Sequence, residues 1–512
     1  MKRRFSTVNL KQTLKKELLF VIATVKNFFK YNHFYKYFIF IFGLYFTGYF
    51  ALIVNNVNYG DDYHRATYGD FGFQIWSRFS SEFLSKIFHI SLNRNVEISP
   101  LLQIIAIAIL SIGSMILVKT ILKKYNFWGL AASLPLGLSP FFLENMSFKF
   151  DSVFMAISLV SPIIPFLFLK NKIAFFIISI LCLELTLTTY QTGNAVYIML
   201  SLFIILSYIL EGKDYKQIIK CAMLLILAYI SSLLIYKFFI LNESSGEWYA
   251  SKSTFELNNL IPGVSKNLKT VLKIYEDVFK HTIFVPIFAL GIIGFLFACI
   301  KVSKICRFWT LIASLGFIIS GILLSYGAYL VLEKQIFSDR TFNGIGMFLA
   351  IIFVFLFKID IKIYKFFSKT ICFILAYSLI IEATAWANVL KEQTEYAKYR
   401  VEIMLHDFYK MIPKDNKFGF TSEVNKNNFM SPIALNTSKT FPIIMRNHAI
   451  DNMLDANWLF NSYGLMAHYE HWTPILSKGL CGQKNKKPIE IVENPLHKIT
   501  KYDNNCFVIE FL

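Results

Sequence analysis

The chain has 512 residues, is 55% hydrophobic with a mean hydropathy of +0.50, and carries a formal net charge of +19. Soluble domains sit nearer about 45–50% apolar, and here the excess is gathered in long runs such as Tyr37–Val54, Leu101–Val118, Ile283–Ile300 and Phe308–Leu330, which excludes an ordinary soluble fold. The charge does not mark a nucleic-acid partner: Lys and Arg stand in short clusters between apolar runs, where they act as orientation signals.

The N-terminal segment 1–36 is basic, with Lys2, Arg3, Arg4, Lys11, Lys15 and Lys16. It is too long for a cleaved signal, and Phe5–Lys30 reads as an amphipathic cytoplasmic segment lying on the membrane. A bilayer core of ~30 Å needs about 20 apolar residues of helix, and lipid forbids unpaired backbone groups. The runs lack the alternation of a β-barrel strand. We therefore expect an α-helical polytopic membrane protein of about eleven transmembrane helices. The spans fall at roughly 37–55, 99–119, 127–143, 152–169, 173–188, 194–210, 217–240, 283–300, 308–330, 343–357 and 370–389.

With the N-terminus in the cytoplasm, every inside loop carries at least two bases, among them Lys119/Lys123/Lys124, Lys170/Lys172, Lys213/Lys216/Lys220, Lys301/Lys304/Arg307 and Lys358/Lys362/Lys365/Lys369. The outside loops 144–151 and 189–193 hold only Lys149 between them. This bias fits one orientation and puts the C-terminus outside. The region 37–389 is thus expected to be the transmembrane catalytic part. The less hydrophobic tail 390–512 is expected to form a small external (periplasmic) α/β domain, with apolar runs at Pro442–Met445 and Phe507–Leu512. Five cysteines lie in spans or at the cytoplasmic face, whereas Cys481 and Cys506 share the tail, where an oxidising compartment permits a bridge; two separate thiols are the alternative.

Four polar places stand out at the outer edge. The first loop reads Asn-Tyr-Gly-Asp-Asp-Tyr-His-Arg over residues 58–65. Adjacent carboxylates repel, so one of Asp61 and Asp62 can hold a raised pKa and serve as a base, while Asp and Gly also simply form turns. Arg65 beside them can bind an anion. The second loop, Glu144-Asn145 to Asp151, holds Lys149, and its charges need partners at the membrane boundary; a Lys149 pair with Glu144 or Asp151 is the plain reading. The third is the hairpin Thr188–Asn194 with Tyr190 and Gln191, below which Glu184 lies inside a span. It is either functional or a helix–helix hydrogen-bonding group. The fourth is Ser338-Asp339-Arg340-Thr341, where Arg340 suits a phosphate or pairs with Asp339 or Glu333. His468, Glu470, His471 and Trp472 in the tail read as surface residues. No metal-ligand spacing and no nucleotide fingerprint appears, so no cofactor is expected and the substrate is one reached from the membrane.

Gly60-Asp61-Asp62-Tyr63-His64-Arg65, then Glu144-Asn145 through Asp151, then Tyr190-Gln191 together resemble the bacterial serotype-converting glucosyltransferases of O-antigen modification, the Gtr type-II group, over about residues 35–390. The resemblance implies a type C membrane glycosyltransferase. Such enzymes take a sugar, by default glucose, from a polyprenyl phosphate and pass it to a surface glycan outside the bacterial cytoplasmic membrane, and they use a carboxylate of the first external loop. It implies Asp61 or Asp62 as catalytic base and Arg65, Glu144, Asn145, Asp151, Tyr190 and Gln191 as site-lining residues. Lys149 and Arg340 join them here as cations for the leaving phosphate. The basic N-terminal extension departs from the pattern. Two other classes share the compartment. A flippase for lipid-linked sugars would carry intact lipid across vesicles without releasing polyprenyl phosphate, and an O-antigen polymerase would lead with arginines in large external loops rather than with acids.

Overall fold

A computed structural model describes residues 7–241, 254–334, 336–412, 419–424, 430–448, 463, 487–502 and 506–512. The expected segment 5–30 is helix α1 (Thr7–Phe29), and the first span is α2 (Phe34–Asn55). The first loop folds into α3 (Asp62–Tyr68) and α4 (Phe79–Phe88), and α5 (Leu101–Leu122) follows. The stretch expected at 127–143 is broken into α6 (Phe127–Ala132), α7 (Pro135–Leu138) and α8 (Pro140–Ser147). Pro135 and Pro140 each stand at the first position of a new helix, where a missing N–H costs nothing. α9 (Ser152–Val160) tightens into a 3₁₀ turn over Ser161–Phe168 that contains Pro165. Next come α10 (Lys172–Thr189), α11 (Asn194–Leu210), α12 (Tyr215–Ile235), α13 (Leu260–Phe279), α14 (Phe284–Val302), α15 (Arg307–Leu324) and α16 (Asn343–Phe355).

Eight helices among the described residues are long and apolar enough to cross a membrane, and Phe127–Leu138, Ser152–Phe168 and Asn343–Lys358 are shorter apolar helices. α16 is buried along its whole length, as expected of a helix that is apolar all round, and it forms the axis of the bundle. α10, α12, α14 and α15 instead turn outward Ile177 and Leu181, Met223 and Ile230, Ile293, and Ile312 and Ile319. An apolar surface of that extent fits a lipid bilayer.

The basic loops gather at one end. Lys304 N–H donates to Leu210 C=O at 2.8 Å, Lys358 Nζ reaches Ile121 C=O at 3.4 Å, and Asn171 donates to the Glu17 carboxylate of α1. The loops at 56–71, 144–151, 189–193 and 338–342 meet at the other end.

α17 (Lys362–Met411) is a single helix of 50 residues, so it runs without a break through the boundary expected at 389/390. Beyond it lie β1 (Gly419–Val424), α18 (Pro432–Thr437), α19 (Ile443–His448), β2 (Glu490–Glu493), β3 (His497–Tyr502) and β4 (Cys506–Phe511). The strands form one sheet in the order β1-β4-β3-β2, antiparallel except for β1 with β4. The tail has its own core of Ala397, Val401, Met404 and Phe408 from α17 against Ile499, Phe507 and Ile509 from the sheet. Arg400, buried at 1% exposure, donates to the carbonyls of Leu496 (2.5 Å) and Leu512 (2.8 Å), pinning the sheet to the helix. Cys506 is disulfide-bonded. Cys481, His468, Glu470, His471 and Trp472 lie outside the described residues.

Candidate active site

Gly60 makes the turn out of the first span. Its φ of +51° lies in the left-handed region, and an added Cβ would stand 3.1 Å from Phe148, so a side chain there would be both strained and crowded. The turn places Asp61 and Asp62 at the start of α3, and they part company at once. Asp62 is buried, and its carboxylate accepts three backbone N–H groups, from Tyr59 (3.1 Å), Lys149 (2.9 Å) and Phe150 (3.3 Å). It thereby bolts the first outer loop to the second. Burial pushes its pKa up to about 8 against these three donors. Asp61 is half-buried, and its carboxylate makes no hydrogen bond to protein among the described residues. Its charge is felt by Asp151.

Asp151 gathers the other loops. Oδ2 accepts from Arg65 Nη2 at 3.3 Å, while Oδ1 is buried with no hydrogen-bond partner among the described residues. Burial raises its pKa, with Arg65, Arg78 and Arg340 acting in the opposite sense and Asp61 adding to the rise. Arg65 is fully engaged: it also donates to Phe71 C=O at 2.5 Å and lies over the Phe73 ring at 4.1 Å. Lys149 is likewise held inward. It pairs with Glu97 at 3.0 Å and reaches Asn56 Oδ1 at 3.3 Å, which corrects the expected pairing with Glu144 or Asp151. Those two acids have the arginines instead. A guanidinium's several donors meet a buried carboxylate better than one ammonium does.

Glu144 accepts from Ser338 Oγ (3.1 Å) and Arg340 N–H (2.8 Å), and stands 3.7 Å from Arg340 Nε. Burial raises its pKa, and the Arg340 charge opposes this. The expected Arg340 pairing with Asp339 or Glu333 is corrected accordingly: Asp339 is held instead by Arg446 of α19, whose Nε meets both its oxygens at 3.0 and 2.9 Å. Asn145 donates to Arg340 C=O at 3.2 Å and to Asn343 Oδ1 at 3.4 Å, and its own Oδ1 is buried without a hydrogen-bond partner among the described residues. Glu144 and Asn145 thus tie loop 144–151 to loop 338–342.

Tyr190 and Gln191 receive a residue that the sequence did not single out. The Arg78 guanidinium lies 4.6 Å over the Tyr190 ring, and its Nε donates to Gln191 Oε1 at 3.2 Å. Gln191 Nε2 donates onward to Trp76 C=O at 2.8 Å and to Tyr236 Oη at 3.1 Å. Gly193 permits the hairpin, since a Cβ there would stand 2.3 Å from Ser158 C=O. In the sequence Arg78 is marked only by its place between the first two spans. Glu184 accepts from Ser232 Oγ of α12 at 2.8 Å and so serves as a helix–helix group.

Besides Arg65 on Phe73, two more arginines near Asp151 stack on aromatic rings: Arg78 on Tyr190, and Arg340 on Phe148 at 4.9 Å. Phe148, Tyr190 and Met155 form one cluster with Tyr59 packed against it. A carboxylate with no protein partner among the described residues can take a proton from a nucleophile, and stacked cations can steady an anion as it leaves.

Residues 50–357 match the sequence model of a family described as glucosyl transferase GtrII. Over 234 residues the chain is 26% identical to an uncharacterised 55.3 kDa protein from the region 5′ of gtrB in Salmonella phage P22. That match covers 45% of this chain and 48% of the relative, so it spans about half the length of each. No solved structure matches.

Proposed function

The chain belongs to the GtrII glucosyl transferase family, and from that premise we propose that it moves glucose from a polyprenyl-phosphate donor to a surface polysaccharide such as O-antigen. The reaction takes place at the non-cytoplasmic face of the bacterial cytoplasmic membrane, with the N-terminus inside and the C-terminus outside. The observation that carries the site assignment is the different fate of two adjacent acids: Asp62 is spent on three backbone N–H groups, and Asp61 is not.

In this reading an acceptor hydroxyl attacks the anomeric carbon, Asp61 takes its proton, and the bond to the phosphate oxygen breaks. Polyprenyl phosphate departs as an anion and needs cations rather than a general acid. Arg78 and Arg340 fill that role because they are the more open cations: Arg78 is half-buried, and the Arg340 side chain is 22% exposed although it faces Glu144, whereas those of Arg65 and Lys149 are 8% and 5% exposed. Glu144, Asn145, Asp151, Tyr190 and Gln191 hold those arginines and loops in place.

The test is Asp61→Asn assayed with purified protein and polyprenyl-phosphate glucose. Glucosyl transfer, or slow donor hydrolysis, should fall at least ~10²-fold with insertion and melting unchanged. Full activity in this variant would remove Asp61 from the mechanism. Movement of intact donor across vesicles with no release of polyprenyl phosphate would instead identify a flippase.

A further inference from the structure

Helix α4 is amphipathic in the opposite sense to a helix that faces water. Phe79, Phe83 and Ile87, four residues apart and so on one face, turn outward, with Phe83 65% exposed. The other face carries Ser81, Glu82 and Ser85, all buried. Those polar groups are satisfied against the protein. Ser81 Oγ donates to Thr189 C=O at 3.0 Å and the Ser80 and Thr188 hydroxyls meet at 2.7 Å, both at the end of α10. Ser85 Oγ donates to Asn95 Oδ1 at 2.7 Å, and Lys86 Nζ returns to Glu82 at 3.0 Å.

A helix that buries serines and presents phenylalanine gains from this arrangement only where its surroundings are hydrocarbon. The apolar face is also continuous with the surface already read as lipid-facing. α10, whose end it lies against, turns Ile177 and Leu181 outward, and Ile90 just beyond α4 is 94% exposed. With 10 residues the helix is about 15 Å long, too short to cross a core of ~30 Å.

We infer that α4 is an in-plane membrane helix, its Phe79–Phe83–Ile87 face bathed in acyl chains of the leaflet at the active-site end. It forms one wall of a lateral entrance by which a lipid-linked substrate reaches Arg78. The entrance rests on the donor proposed above; the in-plane placement does not. Arg78 immediately precedes α4, is half-buried and stacks on Tyr190, so a phosphate arriving along the helix from the bilayer meets its guanidinium.

Single spin labels at positions 83, 87 and 86, in a Cys306→Ser background reconstituted in phosphatidylglycerol–phosphatidylethanolamine vesicles, test the placement. Labels at 83 and 87 should collide with oxygen and be shielded from a nickel chelate, and the label at 86 should show the reverse. Nickel access at 83 and 87 would make this a water-facing helix, and shielding from both reagents would mean that protein covers it; either result overturns the inference. The entrance is tested with Phe83→Asp/Ile87→Asp, assayed with polyprenyl-phosphate glucose and with a short-chain, water-soluble isoprenyl-phosphate glucose. We expect kcat/KM to fall about tenfold for the long donor alone; equal loss on both donors would overturn the entrance. No turnover of either donor by the parent protein would refute the donor assignment and leave the label accessibilities standing.

Discussion

The two ends of the helical body hold charge in opposite ways. At the basic end, Lys123, Lys124, Lys170, Lys172, Lys213, Lys216, Lys301, Lys304, Lys358 and Lys362 are all exposed. At the end that carries the proposed site, Asp62, Glu144, Lys149 and Asp151 are each no more than 5% exposed. Exposed lysines need only their charge to bias orientation, and each can be exchanged singly. A buried charge must recover its desolvation cost from particular partners, and here the partners belong to different loops. Burial at this end is therefore what fixes the loops relative to one another.

The largest expected break in this contrast is Asp62→Ala. It leaves the N–H groups of Tyr59, Lys149 and Phe150 without their acceptor, and the loss should be about 3–5 kcal/mol, read as a lowered melting temperature in detergent with loss of transfer. An unchanged melt would show that the bolt between the loops is not structural. Next is Arg446→Ala, which strips Asp339 of its two-oxygen contact at the neighbour of Arg340. Arg446 is a positioning residue, and kcat/KM should fall about tenfold with partial recovery in Arg446→Lys. A drop in melting temperature with unaltered kinetics would reduce it to a tether for α19.

What was legible in the sequence follows the same division. The apolar stretches, the clustering of bases and the amphipathic α1 depend on composition and period, which one chain displays by itself. The breaks at Pro135 and Pro140 escape a reading of 127–143 as one unbroken apolar run. Which partner each buried charge takes was not legible: Lys149 finds Glu97 across 52 positions, and Arg446 reaches Asp339 across 107. Asp61 and Asp62 are chemically identical neighbours, and only the course of loop 148–150 past the second of them tells them apart. Arg78 was missed because its partners, Tyr190 and Gln191, stand on another loop. The boundary at 389/390 was drawn where hydrophobicity falls, but a helix continues as long as its residues keep helical geometry and a packed face, and α17 finds that face on the tail's own sheet.

A smaller effect tests whether the logic of buried charge extends into the tail. His497 is fully buried, with Nε2 3.2 Å from Asp407 Oδ2. Burial depresses its pKa below the usual value, and the Asp407 charge opposes the shift. A histidine whose folded pKa is lowered binds its proton more weakly in the native state than in the unfolded one. Its contribution is therefore present above the unfolded value of about 6.5 and is lost as pH falls below it. Amide exchange in β3 and β4 should accelerate between about pH 7 and pH 5, and His497→Gln should flatten that response. An identical pH profile in the variant would assign the change to other groups.

The smallest expected effect lies at the basic end, and it sharpens the contrast most cheaply. Lys213 and Lys216 are exposed, and the only carboxylate contact of either among the described residues, Lys213 with Glu211, is long at 3.7 Å. Exposed pairs of this kind contribute about 0–1 kcal/mol. Lys213→Gln/Lys216→Gln should thus melt within about 0.5 kcal/mol of the parent and transfer glucose at the parent rate. Since orientation depends on the summed bias of short loops rather than on one residue, the C-terminus of this variant should be as open to protease in spheroplasts as that of the parent. A loss of stability as large as that of Asp62→Ala would mean that the lysines are structural too, and that the two ends differ in exposure but not in kind.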